Sequence, residues 1–270
     1  MCTIPPPPPL LPITTNSLKL SSLTGPQQDL KKTPFNHLAL CQWSEKHEEL
    51  REACIKNSIC LYNDPFKYKL RYFESIQQVG PTCGIIALSM LLNGRVSAEK
   101  ILSIAKDLGY TNNGEMFSCK QLADLAEQVF KLANVNHLTV QVQKGGLLSQ
   151  ETIDRLLDGV VLLVPYDADC NHSPCLKNGH TAHWALICGI IVSKDRDFDI
   201  DPNNVHVLAK HGKSKHLAAW KLDDLEKSNK NLVEFSPKRG GDDLVYVLPD
   251  GGIGGENGLK NQYLVIGFNA

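Results

Sequence analysis

No surplus of charge, no long apolar stretch and no paired-cysteine pattern marks this 270-residue chain. Each absence removes a class of function. Its 28 Lys and Arg against 29 Asp and Glu leave a net charge of −1, so there is no bulk positive field for nucleic acid. No apolar run approaches the roughly 18 residues that a membrane helix needs. The start, Met1-Cys-Thr-Ile and then five prolines, has neither the basic opening nor the apolar core of a signal peptide. Cys2 stands where myristoylation would need glycine. The nine cysteines are odd in number and scattered, so reduced thiols in a cytoplasmic protein are expected rather than a disulfide framework. Cys170, Cys175, His180 and His183 have the softness of zinc ligands but not the spacing of a common zinc motif. His211-Gly-Lys-Ser214 lacks the upstream glycine of a phosphate loop, Val207 standing in its place. No metal, cofactor, nucleic-acid or membrane partner is expected, and no internal repeat is present.

What is there divides the chain in two. Residues 1–36 hold eight of the fifteen prolines, with Ser, Thr and Gln between them. Such a segment buries too little apolar surface to offset its ordering entropy, so a disordered tail is expected. Pro5, Pro6, Pro7, Pro8 and Pro9 favour a polyproline II helix, a preformed ligand for aromatic grooves. Residues 37–270 read as one globular domain. A charged helix is expected over 44–57. Further helices should start at Cys83 behind a Thr82 cap and end near Gly94, start after Ser97, start after the Ser118–Gln121 capping box, and run from Gln150 to Leu157. Short β-branched runs follow at 160–164, 183–192, 205–209, 244–248 and 263–268. Helices first and strands afterwards imply an α+β fold, with the helices on one side of a mostly antiparallel sheet.

The chemistry concentrates in Gln77-Gln-Val-Gly-Pro-Thr-Cys83-Gly84 and the apolar run behind it. A thiol in the first turn of a buried helix lies where unpaired N–H groups and the helix dipole favour a thiolate. An upstream glutamine amide can donate to the oxyanion formed when that thiolate attacks a carbonyl. Either Gln77 or Gln78 could reach, and physical reasoning alone does not choose. Gly84 would let a substrate backbone approach. The base is His183, heading the strand-like His183-Trp-Ala-Leu-Ile-Cys-Gly-Ile-Ile-Val192, with His180 further back in the loop. A group to orient the imidazole is not evident; Asp201 and His211 are the candidates. Lys210, Lys213 and Lys215 form a basic cluster suited to an acidic peptide.

Taken together, Gln77-Gln78…Cys83-Gly84 and Gly179-His-Thr-Ala-His183-Trp184 resemble papain-like cysteine peptidases, in the branch similar to bacteriocin-leader-processing peptidases. With the polyproline head, the basic loop 207–216 and Ser228-Asn…Phe235-Ser-Pro237, the chain resembles the actin maturation protease family. The resemblance covers about 65–268. It implies a papain-like fold and a cysteine aminopeptidase that removes acetylated Met or Cys from the N-terminus of new actin, exposing an acidic terminus. It also implies Cys83 as nucleophile, His183 as base, Gln77 as oxyanion donor and profilin as a partner of Pro5 to Pro9. Because actin is acidic just beyond the removed residue, Lys210, Lys213 and Lys215 are expected to hold the departing side. The pocket for the acetylated residue is expected to be small, apolar and without a carboxylate for a free amine. A thiol acyltransferase or deamidase using the same Cys–His pair, and a non-catalytic profilin–actin adaptor, are the competing readings.

Overall fold

The computed structural model describes residues 40–194, 201–236 and 244–268. Pro5 to Pro9 and the rest of the expected tail lie outside the described residues. The elements are, in chain order, α1 (Glu48–Lys56), β1 (Lys67–Leu70), α2 (Cys83–Leu91), α3 (Ala98–Asp107), α4 (Cys119–Leu132), β2 (Leu138–Lys144), α5 (Gln150–Leu157), β3 (Val161–Ala168), β4 (Pro174–Cys175), β5 (Ala182–Val192), β6 (Val205–Lys210), β7 (Ala218–Lys221), α6 (Leu222–Lys230) and β8 (Gln262–Phe268). The α+β class holds. The strands form one sheet in the order β2-β8-β3-β5-β6-β7, and every recorded pairing is antiparallel.

The helices cover both faces of this sheet, not one. Val161 and Leu163 of β3 join α2 and α4 in one core cluster. Leu162, Val164 and Tyr166 turn to the other face, beside Ile153 and Leu156 of α5 and Leu222 and Leu225 of α6. The sequence carries the reason: β3 is buried at all eight positions, and a strand covered on both faces reads as a continuous apolar run instead of an alternation. α1 supplies a third cluster, over Cys188, Ile191 and Leu208.

Local signals set three of the six described helix starts. Ser97, Ser118 and Ser149 accept from the backbone N–H three residues ahead, as N-caps do. The stretch 244–248 is not a strand. Its backbone is held by side chains, with Asn112 Nδ2 and Asn113 Nδ2 donating to Val245 O (each 3.0 Å) and the Val247 N–H donating to Glu115 (3.2 Å). The eight cysteines among the described residues are all free. No helix among those residues is long and apolar enough to cross a membrane.

Candidate active site

Cys83 is the first residue of α2, and that helix starts without a side-chain cap. Thr82, the expected cap, turns its hydroxyl back to donate to Val79 O at 2.8 Å. The leading amides of α2 therefore keep their protons for another acceptor. The backbone N–H groups of Trp184, Gly84 and Cys83 act on the Cys83 sulfur, and the Lys213 ammonium acts through its charge. All four lower its pKa, but desolvation is larger and the thiol ends above its ordinary value. Gly84 is needed for packing, not for substrate approach: a Cβ there would come within 3.0 Å of Met116 and 3.2 Å of Trp184. Trp184 is fixed in turn by its indole N–H on Met116 O at 2.8 Å. Thus α2 sits tightly on β5, and the thiol is carried to the imidazole's edge of the sheet.

His183, 6% exposed, pairs across the sheet with Tyr166 of β3. Its Nε2 lies 2.7 Å from the backbone carbonyl of His211. A carbonyl only accepts, so Nε2 carries the ring proton and Nδ1 holds the lone pair. The orienting group is therefore main chain, and His211 contributes its carbonyl in place of its ring. Asp201 is excluded from this role. It caps the short 3-10 turn 202–204, beside the Val192 end of β5, where Ser193 N–H bonds Asn204 O. His183 stands at the opposite end of that strand, roughly 30 Å away at 3.3 Å per residue. Burial is the main force that pushes His183 down to about 3, helped by the charges of His211, Lys213 and His172 and opposed by the His211 carbonyl.

Cys83, His183, Gln78 and Lys213 line one cavity of about 290 Å³. Gln78, not Gln77, is the glutamine on that wall; Gln77 is exposed. The reason lies in the main chain, where Gln78 N–H bonds Gly212 O at 2.8 Å and draws this residue against the loop after β6. Gln78 Nε2 donates to Gly80 O at 2.7 Å, which uses one of its two amide protons. Opposite, Phe117, Phe235 and Tyr246 pack edge and tilt at 4.4 to 6.1 Å and floor the cavity with Met116 and Leu259. A carboxylate is present after all, that of buried Glu115. Its oxygens accept from the Asn112, Asn113 and Val247 N–H groups, so it organises loops and is not left to bind an amine.

The three lysines separate. Lys210 is buried, its Nζ 2.9 Å from both Glu49 oxygens and 2.8 Å from Ser75 Oγ, so it is a structural cation and not a substrate contact. Lys213 is exposed on the cavity wall. Lys215 is exposed away from it, its carbonyl accepting from Ser75 Oγ at 2.7 Å. His180, the alternative base, pairs with Glu234 at 3.4 Å. No group of three or more metal-ligating side chains gathers among the described residues.

Asp167 escaped the sequence reading. It is fully buried in β3, and its oxygens accept from Lys177 N (2.8 Å), Gly179 N (2.7 Å) and Thr181 N (3.1 Å). These bonds wrap the turn that delivers His183 into β5. The available signal was a charged residue inside the apolar run 160–168, since charges are seldom fully buried unless partnered.

A thiol at an uncapped helix start and an imidazole with its free nitrogen on the same cavity constitute a thiol–imidazole nucleophile site on an α+β scaffold. Residues 73–191 match the family described as "Actin maturation protease-like, C-terminal domain". Among curated proteins, the actin maturation protease of Drosophila melanogaster is 42% identical over 226 residues, spanning 84% of this chain and 80% of that protein. Those of Danio rerio (36% identical, 73% of each chain) and Homo sapiens (32%, with 78% and 70% covered) are also similar. The chain belongs to the actin maturation protease family.

Proposed function

We propose that this chain is a papain-like cysteine aminopeptidase that removes the acetylated Met or Cys from the N-terminus of actin. The observation carrying this reading is the fixed tautomer of His183. With Nε2–H held by the His211 carbonyl, Nδ1 is the atom free to take the Cys83 proton. The thiolate then attacks the carbonyl of the acetylated residue. The oxyanion is met by the leading N–H of α2 and the second amide proton of Gln78, which replaces Gln77 in this role. The imidazolium next protonates the departing amine of the actin chain, leaving a thioester on Cys83. Water, deprotonated by His183, hydrolyses that thioester and frees the acetylated amino acid.

The cavity supports this substrate class. It is small for a ligand pocket, apolar at its floor, and its one carboxylate is occupied by backbone donors, which suits an acyl-blocked residue without a free amine. Lys213 on the wall favours an acidic chain beyond the cut, with Lys215 further out. Kinship with proteins named actin maturation protease supports actin as substrate. Pro5 to Pro9 are read as the profilin ligand and the cytoplasm as the site of action.

The test is incubation of the full chain with an acetyl-Met peptide carrying the acidic actin N-terminus, followed by mass, beside Cys83→Ala and Gln78→Ala. Loss of one acetylated residue is expected, abolished in Cys83→Ala. In Gln78→Ala we expect kcat to fall about 100-fold, the size seen when one oxyanion donor is removed. Failure on the peptide and also on the intact actin–profilin complex would sink the reading.

A further inference from the structure

The loop that follows β6 has two faces. One presents Lys213 to the catalytic cavity. The other, through His211 and Ser214, lines a second cavity of about 370 Å³ with Lys56, Asn171, Ser173 and His216. No carboxylate lines it. Its polar groups are an ammonium, two amides (Asn57 and Asn171), two hydroxyls and two imidazoles, a set suited to anionic oxygen. His211 is 4% exposed, and its Nδ1 is buried without any hydrogen-bond partner among the described residues. A buried polar nitrogen without a partner carries a desolvation cost, and this one belongs to a residue that lines the cavity. Two carboxylates contact its lining residues: Glu52, 3.8 Å from exposed His216 Nδ1, and Asp169, whose Oδ1 accepts from the Asn171 and Ser173 N–H groups. His172, 5.5 Å ring to ring from His211, adds a further basic group.

The direction of the reaction connects the two cavities. The imidazole that gives its proton to the leaving amine must face the departing chain, so that chain leaves on the His183 side of the thiol. Beyond His183 on that side lies His211, whose carbonyl holds the imidazole and whose ring forms the wall of the second cavity. We propose that the second cavity binds the acidic segment that follows the scissile bond, its carboxylates received by Lys56 and His216. The inference rests on the peptidase reading of Cys83 and His183. Under it, one loop divides the labour: its Lys213 face meets the chain just beyond the cut, and its His211 face lines the cavity that holds the acidic segment further along.

Two measurements separate this inference from the reading beneath it. In the first, full-length protein is given two acetyl-Met peptides, one with four acidic residues after Met and one with the corresponding amides. The double charge reversal Lys56→Glu with His216→Glu should lower kcat/KM about tenfold for the acidic peptide, through KM, and leave the amide peptide unchanged, as loss of two partly exposed charge contacts would. Lys56→Arg should keep the preference. The second measurement needs no turnover: calorimetric binding of the free acidic peptide, without acetyl-Met, to the Cys83→Ala protein. Saturable binding that weakens with salt and disappears in the Lys56/His216 reversal upholds the subsite even if peptide cleavage itself fails. Absence of binding, or an acidic preference untouched by the reversal, overturns it.

Discussion

At the scale of single residues, the resting position of one proton decides how the site works. Burial raises the Cys83 thiol and pushes His183 down to about 3, so each opposes its own charged form. Both shifts favour a neutral thiol and a neutral imidazole at rest, and under the proposed mechanism the proton moves when substrate arrives. This has a reactivity signature, because only the thiolate is alkylated. Iodoacetamide labelling, read by mass at the Cys83 peptide, should rise about tenfold per pH unit through pH 8 without levelling. A plateau between pH 5 and 8 would mean a preformed thiolate–imidazolium pair and would contradict this account. Asp167 shows the opposite use of a buried ionisable group. Its carboxylate is matched to three backbone donors and shapes the turn before His183.

At the scale of elements, the site depends on a staple between segments distant in sequence. Lys210 ends β6 one residue before the carbonyl that orients His183. Its ammonium reaches Glu49 in α1 and Ser75 ahead of the nucleophile helix. Ser75 Oγ and Gln78 N–H bind the same loop at Lys215 and Gly212. One ion pair with a buried ammonium therefore ties together the segments that carry the imidazole's acceptor and the cavity glutamine. Glu49→Gln would leave the Lys210 charge poorly compensated. Because Glu49 is partly exposed, the expected loss of stability is moderate, about 2 kcal/mol in denaturant unfolding. If the staple positions catalysis, kcat for the peptide should drop several-fold with KM nearly constant. A change confined to KM would instead mark this region as a binding surface.

Across the whole molecule, enclosing histidines between sheet and helices makes stability depend on acid. His183 and His211 are pushed down to about 3 and about 4, chiefly by burial, whereas in the unfolded chain both titrate near 6.5. The unfolded state therefore binds more protons below that value, and folding stability is lost as pH falls through it. By pH 5 each should have cost about 2 kcal/mol relative to pH 7. The melting temperature should accordingly fall steeply between pH 7 and 5, and less steeply in His211→Gln. A flat profile over that interval would show that these imidazoles are not held neutral by the fold.

Local information determined much of this protein by itself. The Ser97 and Ser118 caps, the extents of α5 and β5, a cysteine at a helix start and a histidine heading an apolar strand all follow from neighbours within a few residues, because capping and periodicity act at that range. The placement of Gln78 and not Gln77 on the cavity wall, the burial of Lys210 against Glu49, the main-chain carbonyl that orients His183 and the buried bonds of Asp167 did not. Each depends on partners tens of residues away: Gln78 and Lys210 meet Gly212 and Glu49 only after β6 has paired with β5. Spacing along the chain places a residue at the start of an element, but the approach of other segments decides which of its atoms are buried, bonded or free. Only the tertiary structure brings those segments together, and with them the acceptor that fixes the His183 tautomer.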